Sequence, residues 1–95
     1  MSQRDPIDPF TLRINDAFNF SGGLTVLVGT LESGSPKLLA PCDVELIVDG
    51  QRQAVVHLEA ERTSGPLSRG ERAVETRFPV AADTLRGRNC LLVHR

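Results

Sequence analysis

Tryptophan and tyrosine are absent from this 95-residue chain and only four phenylalanines occur, so aromatics amount to 4% of it. That leaves little material for the stacking platforms that hold single-stranded nucleic acids. Lysine occurs once, at Lys37. A Gly-x-x-x-x-Gly-Lys-Ser/Thr phosphate loop is therefore missing, and with it GTP binding and hydrolysis of the P-loop kind. Two cysteines, Cys42 and Cys90, are too few for a disulfide scaffold. No run approaches the roughly 18 apolar residues of a membrane span, and the opening Met-Ser-Gln-Arg-Asp-Pro has no apolar stretch of the secretory kind. A cytoplasmic protein off the membrane, with both cysteines as thiols, is the expectation. On that view the glycosylation acceptor Asn19-Phe20-Ser21 is a chance match.

Charge of one sign is also lacking: Lys+Arg 11 against Asp+Glu 12 gives a net charge of −1. No bulk field favours nucleic acid or anionic lipid. The charge is uneven along the chain, however. Residues 1–47 carry three cations against six acids and residues 48–95 eight arginines against six acids, or −3 against +2. At this length there is room for one core and one domain.

No stretch shows a 3.6-residue apolar period over ten or more positions, whereas period-two alternation recurs. Residues 1–9, with Pro6 and Pro9, read as a flexible lead-in to a single domain over 10–95. Phe10, Leu12 and Ile14 alternate, and Phe18 and Phe20 continue the period after an Asn15-Asp16 break, which predicts two short strands. Leu24 to Glu32 is a third, with Gly29 marking a bend or bulge. Val44, Leu46 and Val48 lead into Asp49-Gly50, a type I′ hairpin pair, and Val56, Leu58 and Ala60 lead out. Thr63 to Gly70 is a loop around Pro66. Val74, Thr76, Phe78 and Val80 alternate again, Ala81 to Leu85 has room for one helical turn, and Cys90 to Val93 is a last buried strand. The spacing predicts an all-β fold, a small closed or partly open antiparallel β-barrel of six to seven strands.

One family shares this pattern. Phe10, Ile14, Asp16, Phe18, Gly22, Thr25, Val26, Gly29 and the turn Glu32-Ser33-Gly34 resemble the opening of the second domain, a β-barrel, of translational GTPases such as elongation factor Tu. Arg69-Gly70-Glu71 resembles that family's Ala-Gly-Asp/Glu segment. Leu85-Arg86-Gly87 with Leu91-Leu92-Val93 resembles its closing Ile-x-Arg-Gly-x-Val-Leu, so the likeness runs from about Phe10 to Val93. Leu24 stands where the second Gly of Gly-x-Gly is expected, and Pro41-Cys42-Asp43 replaces a Gly-Asp turn. The resemblance implies a domain-2-like barrel standing without its GTPase motor.

It also implies candidate residues. Glu59, Arg62 and Arg72 match by position the residues with which the family's barrel holds the aminoacyl end of tRNA, although Arg72 replaces an Asn and Glu61 an aromatic or His. Together with Arg86 and Arg88 they are the candidate nucleic-acid contacts. Glu59, Glu61, Glu71 and Glu75 interleave with the arginines, which predicts mutual pairing, and Glu59 and Glu61 read as solvated acids on one strand face. Cys42, Cys90, His57 and His94 have no chelating spacing: Cys90 and His94, four apart on a strand, stand about 13 Å apart. No metal, cofactor or catalytic residue is expected, Cys42 lacking a visible His partner. The functional expectation is a non-catalytic binding or adaptor module with a protein partner, self-associating through an exposed strand or the Leu24 to Leu31 face. The alternative is an RNA- or ribosome-associated protein using the arginine-rich second half.

Overall fold

The computed structural model describes residues 7–62, 67 and 69–95. The first six residues of the expected lead-in, and 63–66 and 68 of the expected loop, lie outside the described residues. Among the described residues seven strands form one antiparallel sheet: β1 (Phe10–Phe20), β2 (Leu24–Ser33), β3 (Cys42–Val48), β4 (Gln51–Leu58), β5 (Ala60–Arg62), β6 (Glu71–Thr76) and β7 (Cys90–His94). Their order across the sheet is β4-β3-β7-β1-β2-β6-β5. The expected all-β class of six to seven strands is what the structure has, in its partly open form.

The core follows from the alternation. Leu12, Leu27, Leu39, Leu58, Leu92, Val44, Val56 and Val74 are wholly inside, each contributing about 1.5–3 kcal/mol by leaving water. Asp49 (φ 51°) and Gly50 (φ 84°) make the β3–β4 turn with the positive φ pair a type I′ hairpin needs. The helical turn expected after Ala81 is α1 (Ala82–Leu85).

Three expectations need correction. The two strands foreseen on either side of Asn15-Asp16 are one strand, because the break is a bulge. Ile14 opposes Gly29 and Asp16 opposes Val28, leaving Asn15 as the extra residue. That insertion inverts the inward and outward positions: Phe10 and Leu12 point inward before it, Ala17 after it, and Phe18 and Phe20 turn outward at 41% and 47% exposure. Gly29 lies on the strand facing the bulge, where a Cβ would stand 2.3 Å from the Arg13 carbonyl oxygen. Further on, Val56 and Leu58 are buried but Ala60 is exposed, because the strand breaks at Glu59. Lastly, β6 ends at Thr76, so Phe78 and Val80 are outside the ladder.

The break at Glu59 shapes the whole sheet. β4 and β5 are its two opposite edges and are joined by that single residue, so the chain crosses from one edge to the other there. The Glu59 N–H donates to the Glu75 carbonyl (2.8 Å), and Thr76 Oγ1 donates to the His57 carbonyl (2.7 Å). The sheet is thereby drawn together at this point: beyond it β5 forms a ladder with β6, while before it the described residues give β4 a ladder with β3 alone.

Candidate interaction site

Each of the four candidate arginines is engaged within the chain. Arg72 reaches Glu61 through Nε (2.8 Å) and Nη2 (3.0 Å), and donates to the carbonyls of Pro36 and Lys37, both at 2.8 Å. The Glu61 side chain, 8% exposed, also accepts the Leu39 N–H at 3.0 Å. Glu61 is therefore a nearly buried clamp on the 36–39 segment and not a solvated acid; Glu59 is exposed and outside the strands. Arg62 pairs with Glu75 (3.0 Å) and lies over the Phe20 ring.

Arg86 and Arg88 sit elsewhere, in the connection between α1 and β7. Arg86 holds Asp16 (3.2 Å) and Asp83 (3.0 Å) and donates to the Ala17 carbonyl (2.8 Å). That carbonyl belongs to the half of β1 beyond the reach of β7, which pairs only Phe10 to Arg13. Asn19 completes the attachment, donating to the Val80 carbonyl and accepting the Ala82 N–H. A cup of about 80 Å³ beside Arg86 is well below the ~300 Å³ at which ligand pockets begin. The structure thus divides the five candidates between two places; Arg62 and Arg72 pair with the interleaved Glu75 and Glu61 as predicted, whereas Arg86 and Arg88 pair with aspartates outside that set.

The thiol of Cys42 donates to the Leu39 carbonyl (3.1 Å). Burial first, and the Asp43 carboxylate second, push it up to about 11. Asp43 and His57 face one another across β3 and β4 at 2.7 Å, but Cys42 is paired with Leu58 and points to the other face of the sheet. Cys90 is buried and its thiol is likewise raised, chiefly by that burial. Neither cysteine has the low-pKa surroundings of a nucleophile.

A second, larger concavity lies along the unpaired half of β4. It measures about 310 Å³, with Leu46, Val48 and Ala54 on one side and Phe78, Val80 and Leu85 on the other, and among the described residues Arg88 is the one charged side chain lining it. β4 forms a ladder with β3 only. Because the His57 carbonyl points away from β3 to meet Thr76, Val55, two residues back, turns its own N–H and C=O the same way. Among the described residues no backbone partner meets them.

The facing segment has nothing to donate. The Phe78 N–H is bonded to Thr76 Oγ1 (3.0 Å), the Val80 N–H to the Phe78 carbonyl (2.9 Å), and Pro79 has none. The result is a strand edge with unsatisfied hydrogen-bonding groups beside an apolar trough. Sequence reasoning placed Phe78 and Val80 in a strand; the overlooked signal was Pro79 between them, which demotes such a run.

Comparison of the chain with family models, with curated proteins and with solved structures finds no match. None of these comparisons links the chain to the second domain of translational GTPases.

Proposed function

We propose that this protein is a non-catalytic interaction module, a domain-2-like barrel that takes a segment of a partner polypeptide along the open half of β4. The observation that carries the reading is the unpaired main chain at Val55 beside the 310 Å³ apolar trough. Backbone groups of that kind are completed by an added strand, which binds through main-chain hydrogen bonds while its alternate side chains enter the pocket. A cytoplasmic, reducing setting suits it, with Cys42 and Cys90 as free thiols. Among the described residues no helix is long and apolar enough to cross a membrane. The RNA reading has less support, since Arg62, Arg72 and Arg86 are each held by a carboxylate together with a ring or backbone carbonyl, which leaves Arg88 as a single weakly paired cation.

The test is a titration of isotope-labelled protein with a blocked neutral peptide, acetyl-Thr-Val-Thr-Leu-Thr-Val-Thr-amide, followed by amide shifts. Saturable changes at Ala54, Val55, Phe78 and Val80 are expected, and the same peptide N-methylated at alternate residues should give none. No change at millimolar peptide, or changes centred elsewhere, would sink the proposal. Tight, salt-sensitive binding of single-stranded RNA instead would favour the other reading.

A further inference from the structure

Resting on that reading, we infer that the segment accepted by β4 is acidic: an extended stretch with an apolar side chain for the trough and, two residues away, a carboxylate for Arg88. Charge selects the occupant. Among the described residues the lining has, apart from Arg88, only Gln53 and Thr84 as polar side chains and no acid. In an extended chain residues two apart face the same side, about 6.6–6.8 Å from one another. An anchor in the apolar part therefore carries its i±2 neighbour along the trough, toward the side chain that offers a cation.

Arg88 is also the arginine of the set most easily recruited. Its one ion pair is Nη1 to Asp49 Oδ2 at 3.3 Å, with the two side chains 55% and 54% exposed. A surface pair of that kind is weak. Asp49 does not depend on it, because its other oxygen accepts the Asn89 N–H at 3.1 Å. Arg86, in contrast, spends three nitrogens on Asp16, Asp83 and Ala17. An incoming carboxylate can take over Arg88 bidentately and leave the β3–β4 turn intact.

Two blocked probes separate this from the reading beneath it: acetyl-Thr-Asp-Thr-Leu-Thr-Asp-Thr-amide and its counterpart with Lys for both Asp. The acidic probe is expected to bind at least tenfold more tightly at low ionic strength, with the difference shrinking as salt rises. Arg88→Glu should reverse the order, and its fold is checked by its amide spectrum. Should that variant not fold, Arg88→Gln serves, and there the two probes should bind alike. Equal binding of both probes to the native chain, or a preference unchanged by the Arg88 variants, overturns the acidic specificity while binding of the neutral peptide still stands. Failure of all three peptides overturns both.

Discussion

Replacing Arg72 by methionine tests the clamp that ties β5 and β6 to the segment before β3. The substitution keeps an apolar stem of similar length and removes the guanidinium. Glu61 then retains a nearly buried carboxylate whose one remaining donor is the Leu39 N–H, and the Pro36 and Lys37 carbonyls lose theirs. Removing one partner of a buried pair typically costs about 3–5 kcal/mol. Arg72 keeps 24% of its side chain in water, so the lower part of that range applies, about 3 kcal/mol.

Against the roughly 5–14 kcal/mol available to a domain of this length, that is a large fraction. Urea unfolding should show the midpoint falling with the slope unchanged. Glu61→Met combined with Arg72→Met removes the stranded charge and should recover part of the loss. Recovery stays incomplete, because the Leu39 N–H and the two carbonyls remain without their side-chain partners. A cost below about 1 kcal/mol for Arg72→Met would mean that the pair is an ordinary surface contact, and the argument that Glu61 is a structural acid would fail.

Gly29→Ala should destabilise by about 1–3 kcal/mol through overpacking, since its Cβ meets the Arg13 carbonyl at 2.3 Å and Leu12 at 2.9 Å; a change under about 0.5 kcal/mol in the same assay would place the bulge elsewhere. Native Cys42 should alkylate slowly at pH 8 and faster as the pH approaches 11. Its folded value lies above the ordinary 9.0, so its share of stability is complete below that pH and declines as pH rises toward 11; alkylation as fast as in the unfolded chain would contradict it. Arg86→Ala should cost about 1–2 kcal/mol and speed amide exchange through 82–89, because two exposed ion pairs are worth little and the Ala17 carbonyl loses its donor. Phe18→Ser should change the unfolding free energy by less than about 1 kcal/mol, as the ring is 41% exposed, whereas a core phenylalanine costs about 3–5 when truncated to alanine.

The period-two pattern carried the fold class because inward residues really do recur at every second position: Val44, Leu46 and Val48, then Val56 and Leu58, are all buried. Asp49-Gly50 carried the hairpin because few pairs adopt two positive φ angles cheaply. Alternation has no way to announce an inserted residue. Asn15 displaces the period by one, so Phe18 and Phe20, which continue it on paper, end on the outer face. The Glu61–Arg72 pair was visible only as interleaved charge. Its burial arises from the 36–39 segment folding over it, a contact spanning more than twenty residues of sequence. The open edge of β4 was foreseen only in general terms, as an exposed strand for self-association. The Leu24 to Leu31 face named beside it is mostly covered, Val26 and Val28 being 3% and 8% exposed.

The position of the opening is explained by three local features acting together. At Glu59 the chain passes from β4 to β5, so the two sheet edges meet there of necessity. Before that point, the register shift that leaves Gln53 as an extra residue adds twist to the first half of β4. Opposite it, every N–H of the Phe78 to Val80 stretch is either used locally or missing at Pro79. A ladder between β4 and this stretch therefore fails for want of donors on one side, even where the two approach each other. Val55 is an exposed residue, while Val56 beside it is buried. Open strand edges favour aggregation unless they are guarded, and the guard here is polar: Gln51, Arg52 and Gln53 form the first half of β4. On the proposed function, an edge guarded by its own polar side chains, with its backbone groups and an apolar trough left free, takes an extended segment without the sheet having to open.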